Sequence, residues 1–206
     1  MPMPVPTQVR TARMLLRPWC DQDAPALAPV LAASAAELAR WTPAQATGAA
    51  PLEVLVQRLA AFSGLFAAGR EWRYGLFDRA GGQVLGEVSL FPRDSLRRVT
   101  LVESDRVEIG YWVRSDRAGQ GLATEAAYAA LRVAAGLGRF ALAEIRCDSR
   151  NLASAAIPRR LGFVLSRSHS QGPGTLPRTD TDLQVWELSM ASQGRPDPEQ
   201  QAHPLR

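Results

Sequence analysis

The feature that most constrains this chain is a glycine-rich turn between a strand and a helix. Residues 107–113, Val-Glu-Ile-Gly-Tyr-Trp-Val, predict a strand, and residues 119–126, Gly-Gln-Gly-Leu-Ala-Thr-Glu-Ala, open a helical pattern that continues to Gly138. At such a helix start, backbone N–H groups converge and the helix dipole adds about half a positive charge. Glycine at positions 119 and 121 lets an anion approach closely and permits positive φ. The turn predicts a phosphate site, although glycines with a purely geometric role explain it equally well.

The spacing of this turn excludes two common nucleotide-binding motifs. No Gly-Lys-Ser/Thr follows the glycines, so the P-loop of nucleotide hydrolases is not present here. The turn also does not carry Gly-x-Gly-x-x-Gly on a first strand–helix unit, which disfavours a dinucleotide-dependent hydride transfer.

The other segments predict an α/β protein with a central mixed, mostly antiparallel sheet of six to seven strands and helices on both faces. Residues 1–12 are interpreted as an unpacked lead-in, residues 1–190 as a single domain, and residues 191–206 as a disordered tail. Asp21 is predicted to cap the first helix and Gly69 to end the second. The predicted strands are 14–19 (ended by Pro18), 72–77, 84–91, 107–113, 142–147, 162–165 and 183–190, the helices are 21–40, 52–68, 121–138 and 151–161, and 92–106 and 169–181 are read as loops, the first alternatively as a hairpin extension.

Composition narrows the class of function. No apolar run is long enough to cross a bilayer, and the first residues do not resemble a secretion signal, so we expect a cytoplasmic protein without a membrane partner. Cys20 and Cys147 support neither a disulfide framework nor a metal site. The formal charge of +4 comes from arginine alone, because the chain has no lysine, and these arginines do not form a stripe with aromatic residues. Nucleic acid is therefore not favoured as a partner, although an arginine-rich RNA- or ribosome-associated protein is kept as a hypothesis.

Four segments together resemble the GNAT superfamily of N-acetyltransferases, and within it the ribosomal-protein N-terminal alanine acetyltransferases. Their order and spacing match over about residues 11 to 190. The family's phosphate motif begins with Arg or Gln where this chain has Ala118, just after Arg117, and Pro158 interrupts the last motif. The four segments are 11–19, 107–113, 118–126, and 151–154 continuing to 161–163.

The resemblance implies that acetyl-coenzyme A lies in a V-shaped opening where the fourth strand, 107–113, splays from the fifth, 142–147. Asn151 and Ser154 resemble positions that approach the amide and the sulfur of this cofactor, and Arg150 is a further candidate for its phosphates. Arg117 is, like Arg150, a candidate for the phosphates because of its charge. The implied cofactor-binding residues are Trp112 and Val113 for the pantetheine arm, and Gly119, Gln120, Gly121, Leu122, Ala123 and Thr124 for the pyrophosphate.

Two catalytic roles are predicted. Glu108 is the first candidate for the base, because alternation places its carboxylate on a strand that is expected to be buried, where a charged group is unusual without a function or a partner. A structural pair with an arginine is an equal alternative. Glu87 and water are the other candidates for the base. Ser154 is predicted to protonate the leaving thiolate, and Asn151 and Ser154 also fit an ordinary helix start. Cys147 is expected to be a packed thiol and not an acyl carrier.

The predicted reaction is transfer of an acetyl group from acetyl-coenzyme A to a primary amine without a metal. The α-amino group of a protein or peptide is the expected acceptor, with a small-molecule amine as the alternative. A non-catalytic acyl-coenzyme A-binding module is a second class of function. A monomer and a homodimer both stay open.

Overall fold

The computed structural model describes residues 5–42, 48, 50–170 and 182–191. Asp21–Asp23 and Ser115–Arg117 form short 3-10 helices. The strands are β1 (Val9–Arg10), β2 (Met14–Pro18), β3 (Trp72–Asp78), β4 (Val84–Arg93), β5 (Arg106–Val113), β6 (Leu142–Asp148), β7 (Val164–Ser170) and β8 (Asp182–Ser189), and the helices are α1 (Ala24–Trp41), α2 (Leu52–Ala67), α3 (Leu122–Gly136) and α4 (Leu152–Arg160).

The described strands form one eight-stranded sheet in the order β1-β2-β3-β4-β5-β6-β8-β7. Every neighbouring pair is antiparallel except β5 and β6, which are parallel. This parallel pair results from the crossover through α3, because a helix is needed to return the chain in the same direction. The mixed, mostly antiparallel sheet with helices on both faces confirms the predicted fold class.

The parallel pair opens along its length. Residues 106–108 of β5 pair with residues 142–144 of β6, and the pairing ends there. Beyond Glu108, the backbone of β5 pairs with β4 and that of β6 pairs with β8, and no strand pairing joins β5 to β6 among the described residues. The predicted splay between these two strands is therefore present, and it opens toward the ends that lead into α3 and α4.

Each face of the sheet has its own apolar core. Helix α3 packs against β4 and β5, α4 packs against β6, and together they cover one face. On the other face, α1 and α2 cover the half of the sheet formed by β2 to β4. The small residues of α3, among them Ala126, Ala127 and Ala130, are buried and let this helix lie close to the sheet.

Two predictions at the N-terminal end were wrong. The supposed lead-in contains β1, which pairs antiparallel with β2 through Val9 opposite Leu16, and it supplies the eighth strand. Asp21 does not cap an α-helix, because it begins the 3-10 turn and α1 starts at Ala24. The loop predicted at 169–181 begins too early, because residues 169 and 170 belong to β7. The rest of that loop, 171–181, and residues 192–206 of the predicted disordered tail lie outside the described residues.

Candidate active site

The glycine turn has the backbone geometry that its sequence predicted. Gly119 and Gly121 have φ of 75° and 78°, in the region that side chains disfavour. Helix α3 starts directly after Gly121, at Leu122, whose side chain is anchored in the core. The first N–H groups of a helix have no partner inside it, so those of Leu122, Ala123 and Thr124 are available to an external acceptor. The turn is thus built as an anion cradle.

Arg13 holds this turn from a distant part of the chain. Its Nη1 donates to the carbonyl oxygen of Gln120 at 2.6 Å. Its Nε and backbone N–H donate to the carboxylate of Glu125 at 2.6 and 2.9 Å. The sequence did not single out Arg13, because residues so far apart in the chain carry no local signal of a contact.

Along β5, successive residues direct their backbone N–H and C=O groups alternately toward β4 and toward the opening. The N–H of Arg114 donates to Leu85 on β4, and a side chain at Gly86 would collide with the carbonyl oxygen of Trp112. Residues 112 and 114 therefore direct their backbone groups to β4. In an antiparallel pair the intervening residues point the other way, so Tyr111 and Val113 present N–H and C=O groups to the opening.

The side chain of Trp112 lies on the sheet face covered by α1 and α2. It is buried in the core formed with these helices. Among the buried side-chain nitrogen and oxygen atoms of the described residues, its Nε1 alone has no hydrogen-bond partner. A buried indole N–H without an acceptor is uncommon, so the Nε1 of Trp112 is a hydrogen-bond donor that is left unused in this structure.

Ser154 and Tyr111 meet at the opening on the opposite face. The hydroxyl of Tyr111 lies 3.2 Å from Ser154 Oγ and donates to the Ser154 carbonyl oxygen at 3.2 Å. Burial raises the pKa of Tyr111 well above its usual value, so its phenol stays protonated. Asn151 Oδ1 accepts the N–H of Ser154 at 3.0 Å and caps α4, as the structural alternative predicted, and α4 continues through Pro158. Alternation along β5 could have drawn attention to Tyr111, since it places the side chain of this residue on the face of the sheet opposite to that of Glu108.

Glu108 is held by arginines at the closed end of the opening. It is bonded to Arg93, accepts a hydrogen bond from Arg98 Nη2 at 2.8 Å, and lies 4.0 Å from Arg146 Nε. Burial by itself would raise the pKa of Glu108, but the guanidinium groups of Arg98 and Arg93 outweigh it and hold that pKa below its ordinary value. Glu144 shares Arg93 and Arg146 with Glu108.

Glu87, the reserve candidate, is also fully engaged. Its carboxylate accepts hydrogen bonds from Trp19 Nε1 at 2.8 Å, Arg73 Nη1 at 3.0 Å and Ser89 Oγ at 2.8 Å. These three donors and its low exposure describe a buried structural carboxylate on the face opposite Ser154.

The remaining candidates are placed as follows. Arg117 is exposed, and its guanidinium has no hydrogen bond or ion pair to another described residue. Arg150 is bonded to Asp148 at 2.8 Å. Cys147 is buried on β6, and this burial raises the pKa of its thiol, in keeping with a packed cysteine.

The site has three parts: an opening in the sheet with backbone groups along one edge, an anion cradle at the end of that opening, and a hydrogen-bonded hydroxyl beside it. These parts fit an extended thioester that carries a diphosphate. This combination defines a coenzyme A-dependent acyltransferase. The family model of the acetyltransferase (GNAT) domain matches residues 13–164, more than half of the chain, so the protein belongs to the GNAT acetyltransferases. It is an acetyl-coenzyme A-dependent N-acetyltransferase.

Solved structures of the same fold include ribosomal-protein acetyltransferases. RimL, a ribosomal L7/L12 α-N-protein acetyltransferase in complex with coenzyme A, has a TM-score of 0.73 and 22% identity, with 90% of this chain and 97% of that one covered. The ribosomal-protein-S5-alanine acetyltransferase from Vibrio fischeri has a TM-score of 0.73 and 18% identity, with 89% and 97% covered. The microcin C7 self-immunity acetyltransferase MccE, in complex with acetyl-coenzyme A and AMP, has a TM-score of 0.75 and 16% identity, with 90% and 98% covered.

Among curated proteins, none matches the sequence of this chain. In the described part of the chain, no helix combines the length and apolarity that crossing a membrane requires.

Proposed function

We propose that this enzyme acetylates the α-amino group of a protein or peptide, with acetyl-coenzyme A held between β5 and β6. The observation that carries the proposal is the opening of the β5–β6 pair after Glu108, aimed at the cradle of Gly119 to Thr124. The choice of acceptor is supported by the shared fold with RimL and the S5-alanine acetyltransferase. A ribosomal or other newly made protein as acceptor places the reaction in the cytoplasm.

The residues for the cofactor follow from the geometry of the opening. The N–H groups from Gly119 to Thr124 bind the pyrophosphate, with the exposed Arg117 as an added cation. The pantetheine arm pairs with the gap-facing backbone of Tyr111 and Val113, next to the predicted Trp112. Asn151 Oδ1 is committed to its cap, so the side-chain amide N–H₂ of Asn151 is the group left to contact the cofactor. When bound, acetyl-coenzyme A supplies an acetyl group activated as a thioester.

The acceptor reaches the opening from the face of α1 and α2. On the other face the opening is flanked by α3 and α4. Glu108, Gly110 and Trp112 share the α1–α2 face by alternation, and Gly110 contributes no side chain between the other two. A Cβ at Gly110 would lie 3.3 Å from the ring of Phe91, so any larger residue would crowd this approach.

The proton of the acceptor leaves through water and not by direct transfer to Glu108. An α-amino group has a pKa of about 7.7 to 8.0 and an ordinary glutamate about 4.3, so direct transfer is uphill by about 5 kcal/mol. The arginines around Glu108 lower its pKa and increase that cost. In contrast, a large fraction of the α-amino groups is already neutral in water near pH 8, so water can take this proton without a strong base. We assign Glu108 the task of attracting and orienting the amine and its water.

The departing sulfur is protonated on the other face. Ser154 Oγ gives its proton to the departing thiolate and recovers one from solvent water, while the hydroxyl of Tyr111, which stays protonated, lies 3.2 Å from this oxygen and keeps it in position. Acid catalysis of this kind contributes about 10²- to 10⁴-fold. Ser154 thus combines its place in the first turn of α4 with a chemical role.

A mixed library tests the acceptor. The protein is incubated with acetyl-coenzyme A and N-terminally free peptides, the same peptides with blocked N-termini and internal lysines, amino sugars and aminoacyl nucleotides, and products are read by mass spectrometry. Acetylation of free N-termini is expected. Products from small amines alone would replace the proposal with the second candidate, which the shared fold with MccE favours. Binding of acetyl-coenzyme A without any product would indicate a non-catalytic binding module.

A further inference from the structure

We propose that Arg13 is a positioning residue for the cofactor, which fixes the peptide bond between Gln120 and Gly121 so that the cradle is preformed. This inference rests on the proposed cradle at Gly119 to Thr124. Arg13 lies in the turn between β1 and β2, more than 100 residues before the glycine turn in the sequence but in direct contact with it.

The first argument is the geometry of a peptide bond. A trans peptide places its C=O and its N–H on opposite sides. Arg13 Nη1 holds the carbonyl oxygen of Gln120 at 2.6 Å, so the N–H of Gly121 is directed away from the guanidinium. This peptide leads into Gly121, whose φ is positive, and a glycine on that side would let the peptide rotate at little cost if its carbonyl were not fixed. The bond to Arg13 removes that freedom before the cofactor binds.

The second argument concerns charge. Glu125 lies in the first turn of α3, where a carboxylate favours the helix dipole but would repel a diphosphate. Arg13 covers this carboxylate with two hydrogen bonds, one from Nε and one from its backbone N–H. The cation of Arg13 therefore offsets the charge of a carboxylate that lies in the first turn of the helix beside the cradle.

The third argument is how firmly a half-exposed arginine is held. The side chain of Arg13 is 47% exposed, and ordinary ion pairs at such positions contribute little. Here the turn that carries it is fixed by Thr11, whose hydroxyl accepts the N–H of Met14 at 2.9 Å. A Cβ at Gly121 would lie at an ordinary contact distance of 3.5 Å from Arg13 Nη2, so the guanidinium lies directly beside this residue. Arg13 is therefore held more firmly than an arginine in an ordinary surface ion pair.

The experiment compares two donors of the acetyl group. S-acetylpantetheine keeps the thioester and lacks the pyrophosphate, so a residue that positions the cradle affects only acetyl-coenzyme A. For Arg13→Gln we expect KM for acetyl-coenzyme A to rise about tenfold or more, since hydrogen bonds to charged groups are worth that much, with the KM for S-acetylpantetheine within twofold of the parent. Arg13→Lys should recover part of the loss, because it restores the charge and not the fork.

Arg79→Gln is the matched control. Arg79 Nη1 donates to the carbonyl oxygen of Ala12 in the same turn at 3.2 Å and does not touch the cradle. Its KM for acetyl-coenzyme A should stay at the parent value. The double variant Arg13→Gln with Glu125→Gln should bind acetyl-coenzyme A better than Arg13→Gln alone, because the uncovered carboxylate is gone.

Three outcomes separate the possible errors. If Gly121→Val raises KM for acetyl-coenzyme A and Arg13→Gln does not, the cradle stands and the role of Arg13 is wrong. If neither variant changes KM, the cradle proposal fails together with this inference. Equal losses with both donors in Arg13→Gln would show a general structural role and overturn the assignment.

Discussion

Replacement of Glu108 by glutamine separates a catalytic base from a structural carboxylate. Glu108 is bonded to Arg93 and Arg98, and Arg93 is 4% exposed. Removing one partner of a buried ion pair costs about 3 to 5 kcal/mol. Because Arg93 keeps Glu144 at 3.5 Å and glutamine still accepts one hydrogen bond, we expect the lower end, about 3 kcal/mol. For a chain of 206 residues this lowers Tm by about 6 to 12 °C.

The kinetic effect should be small by comparison. Loss of a general base typically lowers kcat by 10²- to 10⁴-fold. If water removes the proton, Glu108→Gln at 25 °C should reduce kcat less than about tenfold, which is smaller than the smallest loss expected for a general base. The acid limb of kcat/KM should continue to follow the ionisation of the acceptor amine. Thermal melts by circular dichroism and initial rates over pH 6 to 9 on the same preparation provide both readouts.

Glu37→Gln is the control for stability. Glu37 makes an exposed pair with Arg40 at 3.4 Å, and such pairs contribute less than about 1 kcal/mol. Its Tm should stay within a few degrees of the parent. A Glu108→Gln variant with the parent Tm, a kcat lowered more than a hundredfold and no remaining acid limb would refute this reasoning and establish Glu108 as the base.

Three further changes test the other parts of the site. Gly121→Ala should weaken acetyl-coenzyme A about tenfold in calorimetry, because a side chain at φ 78° costs about 1 to 2 kcal/mol, and parent affinity would remove Gly121 from the cradle. Tyr111→Phe should lower kcat about fivefold, because it removes one neutral hydrogen bond to Ser154, with KM for acetyl-coenzyme A unchanged, whereas an unchanged kcat would exclude a catalytic contribution of the Tyr111 hydroxyl. Burial would raise the pKa of Glu125, but hydrogen bonds from Thr11 and Arg13 hold that pKa below its ordinary value, so this carboxylate stays ionised and keeps Arg13 in place near neutral pH. The rise in KM for acetyl-coenzyme A in Arg13→Gln should therefore be the same at pH 7 and pH 9, and a difference between the two would contradict a role through this ion pair.

Local patterns predicted the elements whose cause is local. The hairpin of β3 and β4 follows from two β-type runs joined by a glycine-containing turn, and the end of α2 follows from Gly69, which has a φ of 66°. The strand β1 could not be predicted in this way, because two residues carry no periodicity. Val9 and Arg10 become a strand only because β2 offers them a free edge.

The same limit applies to the site. The turn at Gly119 and Gly121 was predictable, since its function depends on backbone conformation encoded by two adjacent glycines. The partners of Glu108 were not, because Arg93, Arg98 and Arg146 come from a strand, a loop and a second strand that only the sheet brings together. Period-two counting located Glu108 on its face and left both the catalytic and the structural alternative open.

The composition of the chain bears on its acid–base chemistry. All its basic side chains other than two histidines are arginine, which does not release its proton in the working range. The two carboxylates that were candidates for the base, Glu87 and Glu108, are paired with such guanidinium groups. For Glu108 these cations hold the pKa below its ordinary value, so this carboxylate is a poor acceptor for an ammonium proton. The pH dependence of this enzyme should therefore come from the acceptor amine, with hydroxyls and water carrying the protons.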